Sequence, residues 1–96
     1  AVNIPYGMKF NIAGFEDKFY RIAQTLNLKK LTGEAVVDYL FDFNSKIGIP
    51  HKLRDIHVKE EHLDTLSELA FADFAHPNNP KPVTKEDFRM LYAEAL

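Results

Sequence analysis

Apolar side chains recur along this chain at the spacing of a helix, and period-2 alternation is never sustained. After Gly14, the residues Phe15, Phe19, Ile22, Ala23 and Leu26 fall at i, i+4, i+7, i+8 and i+11, which is one face of a 3.6-residue period. Glu16 and Asp17 stand in the first turn, where the helix dipole favours negative charge. Residues 27–31 lack the pattern and predict a connector. Thr32 offers a hydroxyl to cap a second helix, with Glu34 early in its first turn, and Val36, Val37, Leu40, Phe41 and Ile47 supply its apolar side. Gly48-Ile49-Pro50 ends that helix, because a proline disfavours helical backbone at the residue before it and donates no N–H. Residues 51–55 predict a short helical turn that packs Leu53.

A third helix is expected from near Lys59, with Leu63, Leu66, Leu69, Ala70 and Phe74 as its stripe. The segment His76-Pro77-Asn78-Asn79-Pro80-Lys81-Pro82 cannot be helix interior, since three prolines crowd seven residues. Thr84-Lys85-Glu86-Asp87 then approximates a capping box, with Asp where Glu or Gln is usual. Phe88, Leu91, Tyr92 and Ala95 follow at i, i+3, i+4 and i+7. The pattern predicts an all-α bundle of four main helices with short connecting helical turns, and leaves room for an extra short helix at the start.

Composition narrows the function classes. Ninety-six residues make a single helical domain, 1–96, or part of one. A chain of this size buries roughly 60–65% of the surface it exposes when unfolded, so independent stability is modest. Fourteen acidic and twelve basic side chains give a net charge of −2, with Lys29-Lys30 the densest basic cluster. No basic stripe exists for a phosphate backbone, which argues against nucleic acid as a partner. No apolar run approaches the roughly 20 residues that span a bilayer, so no membrane is expected either. The absence of cysteine excludes disulfides, thiolate metal sites and Cys nucleophiles, and fits a cytoplasmic location. The chain opens Ala1-Val2-Asn3, which suits both an excised piece of a longer protein and a processed natural start.

The candidate chemistry is sparse. The four histidines, His51, His57, His62 and His76, include no i, i+4 pair. His57 and His62 would point about 140° apart on a continuous helix, so surface or capping roles are expected of them, and His51 is expected at the surface where a helical turn starts. His76 differs in opening a stiff proline-rich loop, the kind of scaffolded loop where binding residues concentrate. The alternative is that it caps the carbonyls of the preceding helix. The acidic pairs Glu16-Asp17, Glu60-Glu61 and Glu86-Asp87 each lie in an expected first turn, and the dipole accounts for them without acid–base catalysis. Asp73, near the stripe of the third helix, is either a buried hydrogen-bonded acid facing the next loop or a boundary residue. Gly14, Gly33 and Gly48 are isolated and make no phosphate-binding loop, and Ser45 and Ser67 have no nucleophile-elbow context. From the residues alone, this is a helical scaffold without a catalytic constellation.

Two segments nevertheless resemble one family. Ile4-Pro5-Tyr6-Gly7-Met8-Lys9-Phe10-Asn11 resembles the L-P-H-V-M-R-F-N stretch of the iron-dependent alcohol dehydrogenases, which is followed there by a helix like Phe19-Tyr20-Arg21-Ile22-Ala23. Ile47-Gly48-Ile49-Pro50, Leu53-Arg54-Asp55-Ile56 and Val58-Lys59-Glu60-Glu61 resemble that family's "lGIP..L.dlGv.eed" block. Residues 66–75, with Asn79-Pro80-Lys81 and Thr84-Lys85-Glu86-Asp87, resemble its "la..A..D....NPr..t.ed" block. The resemblance covers nearly the whole chain in order. It implies the helical C-terminal part of a dehydroquinate synthase-like fold, whose N-terminal α/β domain carries the nucleotide.

The same resemblance implies what this segment lacks. The family's metal ligands, an Asp and three His, and its dinucleotide-binding glycine turn all lie upstream of the first matching block. No catalytic, cofactor-binding or metal residue is therefore carried over. Iron or another divalent metal and NAD(P) are implied for the full-length enzyme, which would polarise an alcohol oxygen at the metal and pass hydride to nicotinamide. Tyr6 departs from the family's usual His. One contact does transfer: in relatives the loop before N-P approaches substrate and nicotinamide, often with Cys at the position of Ala75. Ala75 and His76 are the expected lining of the substrate pocket.

The leading expectation is the C-terminal portion of an NAD(P)-linked, metal-dependent alcohol dehydrogenase, inactive alone. Its partners would be the remainder of the parent enzyme and a small alcohol or aldehyde. The competing class is a free-standing helical protein-interaction module. A fragment should leave apolar surface uncovered and prone to self-association as a homo-oligomer, whereas a complete domain should cover its own core.

Overall fold

The computed structural model describes residues 1–96 and contains five α-helices, three short 3-10 turns and no strand. Two units can be distinguished, Ala1–His51 and Lys52–Leu96. The all-α expectation holds, and the fifth helix is the extra one for which the sequence left room at the start.

In the first unit, α1 (Ile4–Asn11) begins with Pro5 in its first turn, where a missing N–H costs nothing. Helix α2 (Glu16–Thr25) buries Phe19 and Ala23, and α3 (Gly33–Lys46) buries Val36 and Val37. Phe19, Ala23 and Val36 form the core, with Met8, Ile12, Phe15, Ile22, Leu28, Leu31 and Leu40 packed round it. Thr32 caps α3 as expected, its Oγ1 accepting the Ala35 N–H at 3.2 Å. Two helices here stop by the same device. Asn27 (φ 56°) and Gly48 (φ 80°) take left-handed backbone. The N–H groups of Leu28 and Ile49 then reach back to the carbonyls of Ala23 and Asn44 at 3.1 and 2.8 Å, the Schellman pattern that satisfies last-turn carbonyls.

Ile47 departs from expectation. It lies just past the end of α3 and is 57% exposed. Tyr6, by contrast, is buried: its hydroxyl donates to the His51 carbonyl at 2.7 Å and its ring meets Phe41 edge-on at 5.2 Å.

In the second unit, a 3-10 turn at Leu53–Ile56 buries Leu53, fulfilling the short turn expected there, and ends at left-handed His57 (φ 70°). The third main helix starts with a 3-10 turn, Glu60–His62, and continues as α4 (Leu63–Ala72). Helix α5 (Lys85–Ala95) opens with the expected capping box: Thr84 Oγ1 accepts the Asp87 N–H at 3.1 Å, and Asp87 Oδ2 accepts the Thr84 N–H at 2.9 Å. Lys52 Nζ and Arg54 Nε donate to the carbonyls of Glu94 and Leu96 at 2.9 and 2.7 Å, closing the last turn of α5 with cations where the dipole favours them.

The stripe expected for α4 needs correction. Leu63 and Ser67 are buried, but Leu69 is 63% exposed and Phe74 is 91% exposed. Leu69 sits about 120° from Leu63 at 100° per residue, outside the face that Leu63, Ser67 and Ala70 share. Ser67 tolerates burial because its hydroxyl donates to the Leu63 carbonyl at 2.7 Å. Phe74 would fall on that face if the helix continued, but the helix stops at Ala72. Asp73 is extended (ψ 128°), and its Oδ1 accepts the Ala75 N–H at 2.8 Å. A carboxylate one turn from a proline outcompetes the helix for the local N–H. Asp73 is thus an exposed boundary residue, hydrogen-bonded to the loop that follows it.

Gly33 packs closely against Ile12 at the end of α1. A Cβ built there would lie 2.8 and 2.9 Å from Cγ1 and Cγ2 of Ile12, so Gly33→Ala forces the branched Ile12 side chain to move. Loss of about 1–3 kcal/mol is expected, read as a lower urea midpoint. In an Ile12→Ala background the same change should cost less, because the clashing methyls are gone.

Candidate functional site in the proline-rich loop

The loop after α4 holds Ala75 and His76, the two residues expected to line a substrate pocket. His76 is half-buried and begins a 3-10 turn, His76–Asn78. Its ring stacks on Phe71 with centroids 5.0 Å apart at 21°, and presents an edge contact to Phe88 at 5.6 Å and 81°. Its Nε2 lies 2.9 Å from the Phe71 carbonyl oxygen, one of the carbonyls that the early end of α4 leaves without a helical partner. A carbonyl can only accept, so this contact puts the proton on Nε2 and leaves Nδ1 as an acceptor in the neutral ring. Capping of the preceding helix, one of the two roles open to His76 in the sequence, is therefore met.

The loop also shapes an open depression of about 460 Å³ lined by His76, Pro77, Asn79, Pro80, Pro82 and Val83. Asn79 holds the loop's curve through Nδ2, which donates to the Lys81 carbonyl at 2.7 Å. The prolines remove backbone donors and stiffen the wall. Ala75 stands exposed immediately before this depression, its N–H engaged by Asp73.

The other histidines do not join His76. His62 Nδ1 accepts the Lys59 N–H at 3.0 Å, the capping role expected of it, and His57 supplies the left-handed stop of its turn. His51 is exposed as expected but does not start a helix. Its Nε2 lies 2.6 Å from Ser45 Oγ and 3.1 Å from the Phe41 carbonyl oxygen, which fits one N–H shared between two oxygens. No group of three or more His, Cys, Asp or Glu side chains comes together in a way that could hold a metal ion. The four imidazoles stand on separate segments with no such group round any of them, so the residues present do not fit an iron site.

A second concavity, of about 500 Å³, lies in the first unit with Ile12, Val37 and Phe41 on its walls and Lys9, Glu16, Glu34 and Asp38 among its polar lining. No sequence motif marks it, because its residues come from separate helices and the α2 start. Glu16 is held below the usual glutamate range, first by its own backbone N–H and then by that of Gly14, whose N lies 3.2 Å from Oε1. A depressed carboxylate adds stability above the unfolded-state pKa and loses it as pH falls through the folded one. Glu16→Gln should therefore weaken the unit at neutral pH and make no difference in strong acid, as followed by paired urea titrations across pH 2–7.

Replacing His76 should loosen the end of α4. His76→Ala removes one hydrogen bond and two ring contacts, for an expected loss of about 1–3 kcal/mol. Amide exchange in α4 and α5 should quicken more than exchange in α2 and α3.

All 96 residues, 1–96, match the family model described as Fe-containing alcohol dehydrogenase family, C-terminal. The lactaldehyde reductase of Escherichia coli K12 is 31% identical over 101 residues, covering 99% of this chain and 26% of that protein. The NAD-dependent methanol dehydrogenase of Bacillus methanolicus is 30% identical, covering 100% of this chain and 27% of that enzyme. The NADPH-dependent butanol dehydrogenase of Clostridium saccharobutylicum is 28% identical, covering 96% and 26%. The chain thus spans about a quarter of the length of these relatives. No helix is long and apolar enough to cross a membrane.

Proposed function

This chain belongs to the Fe-containing alcohol dehydrogenase family, and from that premise we propose that it works as the C-terminal helical section of an NAD(P)-linked enzyme that interconverts small alcohols and aldehydes by hydride transfer. The observation that carries the reading is the match of the family's C-terminal model to every residue from 1 to 96. The relatives support it by their names: a lactaldehyde reductase, an NAD-dependent methanol dehydrogenase and an NADPH-dependent butanol dehydrogenase. The uncovered surface supports it too. Phe43, Ile47, Ile56, Leu69, Phe71, Phe74 and Met90 are all exposed, apolar side chains that the rest of a longer enzyme would cover.

Within that enzyme, this section contributes scaffold and pocket wall, while the remainder of the parent supplies the nucleotide-binding and metal-holding groups. Ala75 and His76 form the wall toward substrate. Ala75 brings no polar group and little bulk. His76, fixed between Phe71 and Phe88 with Nε2–H committed to a backbone carbonyl, offers Nδ1 as an acceptor for a substrate hydroxyl.

The test is a graft. Residues 1–96 replacing the C-terminal quarter of the Escherichia coli lactaldehyde reductase should restore nucleotide-dependent alcohol oxidation to the truncated enzyme, while the 96-residue chain alone should show none. A graft that folds and binds its metal and nucleotide yet turns over no alcohol or aldehyde contradicts the proposal. In an active graft, His76→Ala should raise KM about fivefold with kcat little changed, the signature of a lost hydrogen bond held equally in the ground and transition states.

A further inference from the structure

Two donors of the proline-rich loop compete for one acceptor, the Phe71 carbonyl. In an α-helix the N–H of residue i bonds the carbonyl of residue i−4, so a longer α4 would bring the Ala75 N–H to the Phe71 oxygen. Pro77 permits that extension, because it biases only His76 away from helical backbone and lacks only its own N–H. The chain takes the other course. Asp73 Oδ1 accepts the Ala75 N–H at 2.8 Å, across a turn with Phe74 at its apex. The Phe71 oxygen is left to the His76 ring, whose Nε2 lies 2.9 Å away. Each of these hydrogen bonds therefore depends on the other: the ring holds the carbonyl only while the carboxylate holds the amide.

We propose that Asp73 is a positioning residue for substrate contact at His76, acting by withholding the Ala75 N–H from the Phe71 carbonyl. The inference rests on the reading of His76 as pocket wall. Asp73 suits the task twice over: its short side chain bonds a nearby backbone amide, and aspartate is a weak helix former. Alanine at this position removes the competing acceptor and favours helix. The Ala75 N–H is then free to bond Phe71 as a helical amide and displace the ring. A displaced ring gives up its stacking on Phe71 and its edge contact with Phe88, and with them the fixed placement of Nδ1. Asparagine keeps both properties of aspartate that matter here, an oxygen that accepts the amide and a weak preference for helix.

A double-mutant cycle tests it in the full-length parent enzyme, loaded with its metal and assayed for alcohol oxidation with NAD(P). Asp73→Ala should raise the alcohol KM about fivefold with kcat little changed, as His76→Ala does. The double variant should also stay near about fivefold, where independent effects would multiply to about 25-fold. Asp73→Asn should return KM to within about twofold of wild type, because the amide keeps its acceptor. An unchanged KM for the nucleotide establishes that each variant is folded. Effects that multiply, an Asp73→Ala variant with the wild-type KM, or an Asp73→Asn variant no better than alanine each overturn the inference and leave His76 at the pocket. A parent enzyme in which His76→Ala itself leaves KM unchanged overturns the pocket reading, and the inference falls with it.

Discussion

The constraint on which this structure depends is the satisfaction of backbone carbonyls at the ends of short helices. The longest helix has 14 residues and the shortest 8, lengths at which isolated helices are marginal in water. Each end therefore has to be closed within a few residues. Asn27, Gly48 and His57 close three helical segments by left-handed backbone. The His76 ring closes α4, and Lys52 and Arg54 close α5. The connectors are consequently built elements with their own hydrogen bonds, and the proline-rich loop owes its shape to the same requirement. Asp73 ends α4 early, the freed Phe71 carbonyl takes the His76 N–H, and the ring is thereby fixed beside the depression that the prolines outline.

On the reading proposed above, that arrangement joins helix capping to substrate contact at one residue. A histidine that must cap a helix cannot also turn Nε2 toward a ligand, but it can present Nδ1 with little freedom left to lose. Its two phenylalanine neighbours fix the ring plane in the same stroke. The apolar side chains that remain exposed on α3, α4 and α5 follow from the same economy of length. Helices this short, three of them round a core of Phe19, Ala23 and Val36, present more apolar faces than they can cover. The chain spans about a quarter of the length of the relatives compared above, and the proposed parent enzyme would supply the structure that covers them.

Much of the fold was legible in the sequence because its signals are local. The α2 face, the Thr32 and Thr84 caps, the Gly48-Ile49-Pro50 stop and the turn at Leu53 each depend on residues a few positions apart. The failures were at positions where a side chain competes with the helix or where packing decides. Phe74 fits the period of α4, yet the Asp73 carboxylate captures the Ala75 N–H and ends the helix first. Leu69 belongs to the sequence's apolar count but not to the buried face, which Ser67 occupies by bonding its own helix. The burial of Tyr6 by a hydroxyl contact 45 residues away could not be read from spacing at all. At the candidate site, both roles weighed for His76 were readable from its place before Pro77, and the structure meets the capping role through a carbonyl that only an early helix end exposes. The concavity of the first unit drew no signal, because no motif joins Lys9, Glu34 and Asp38.

The most direct measurement is the intact mass of the native polypeptide that carries these residues, taken from the cells that make it by tracing peptides of this segment to their parent species. A single species of about four times 11.0 kDa, copurifying with NAD(P)-dependent alcohol oxidation, is the predicted result. A native species of 11.0 kDa that associates with no dehydrogenase would contradict the account.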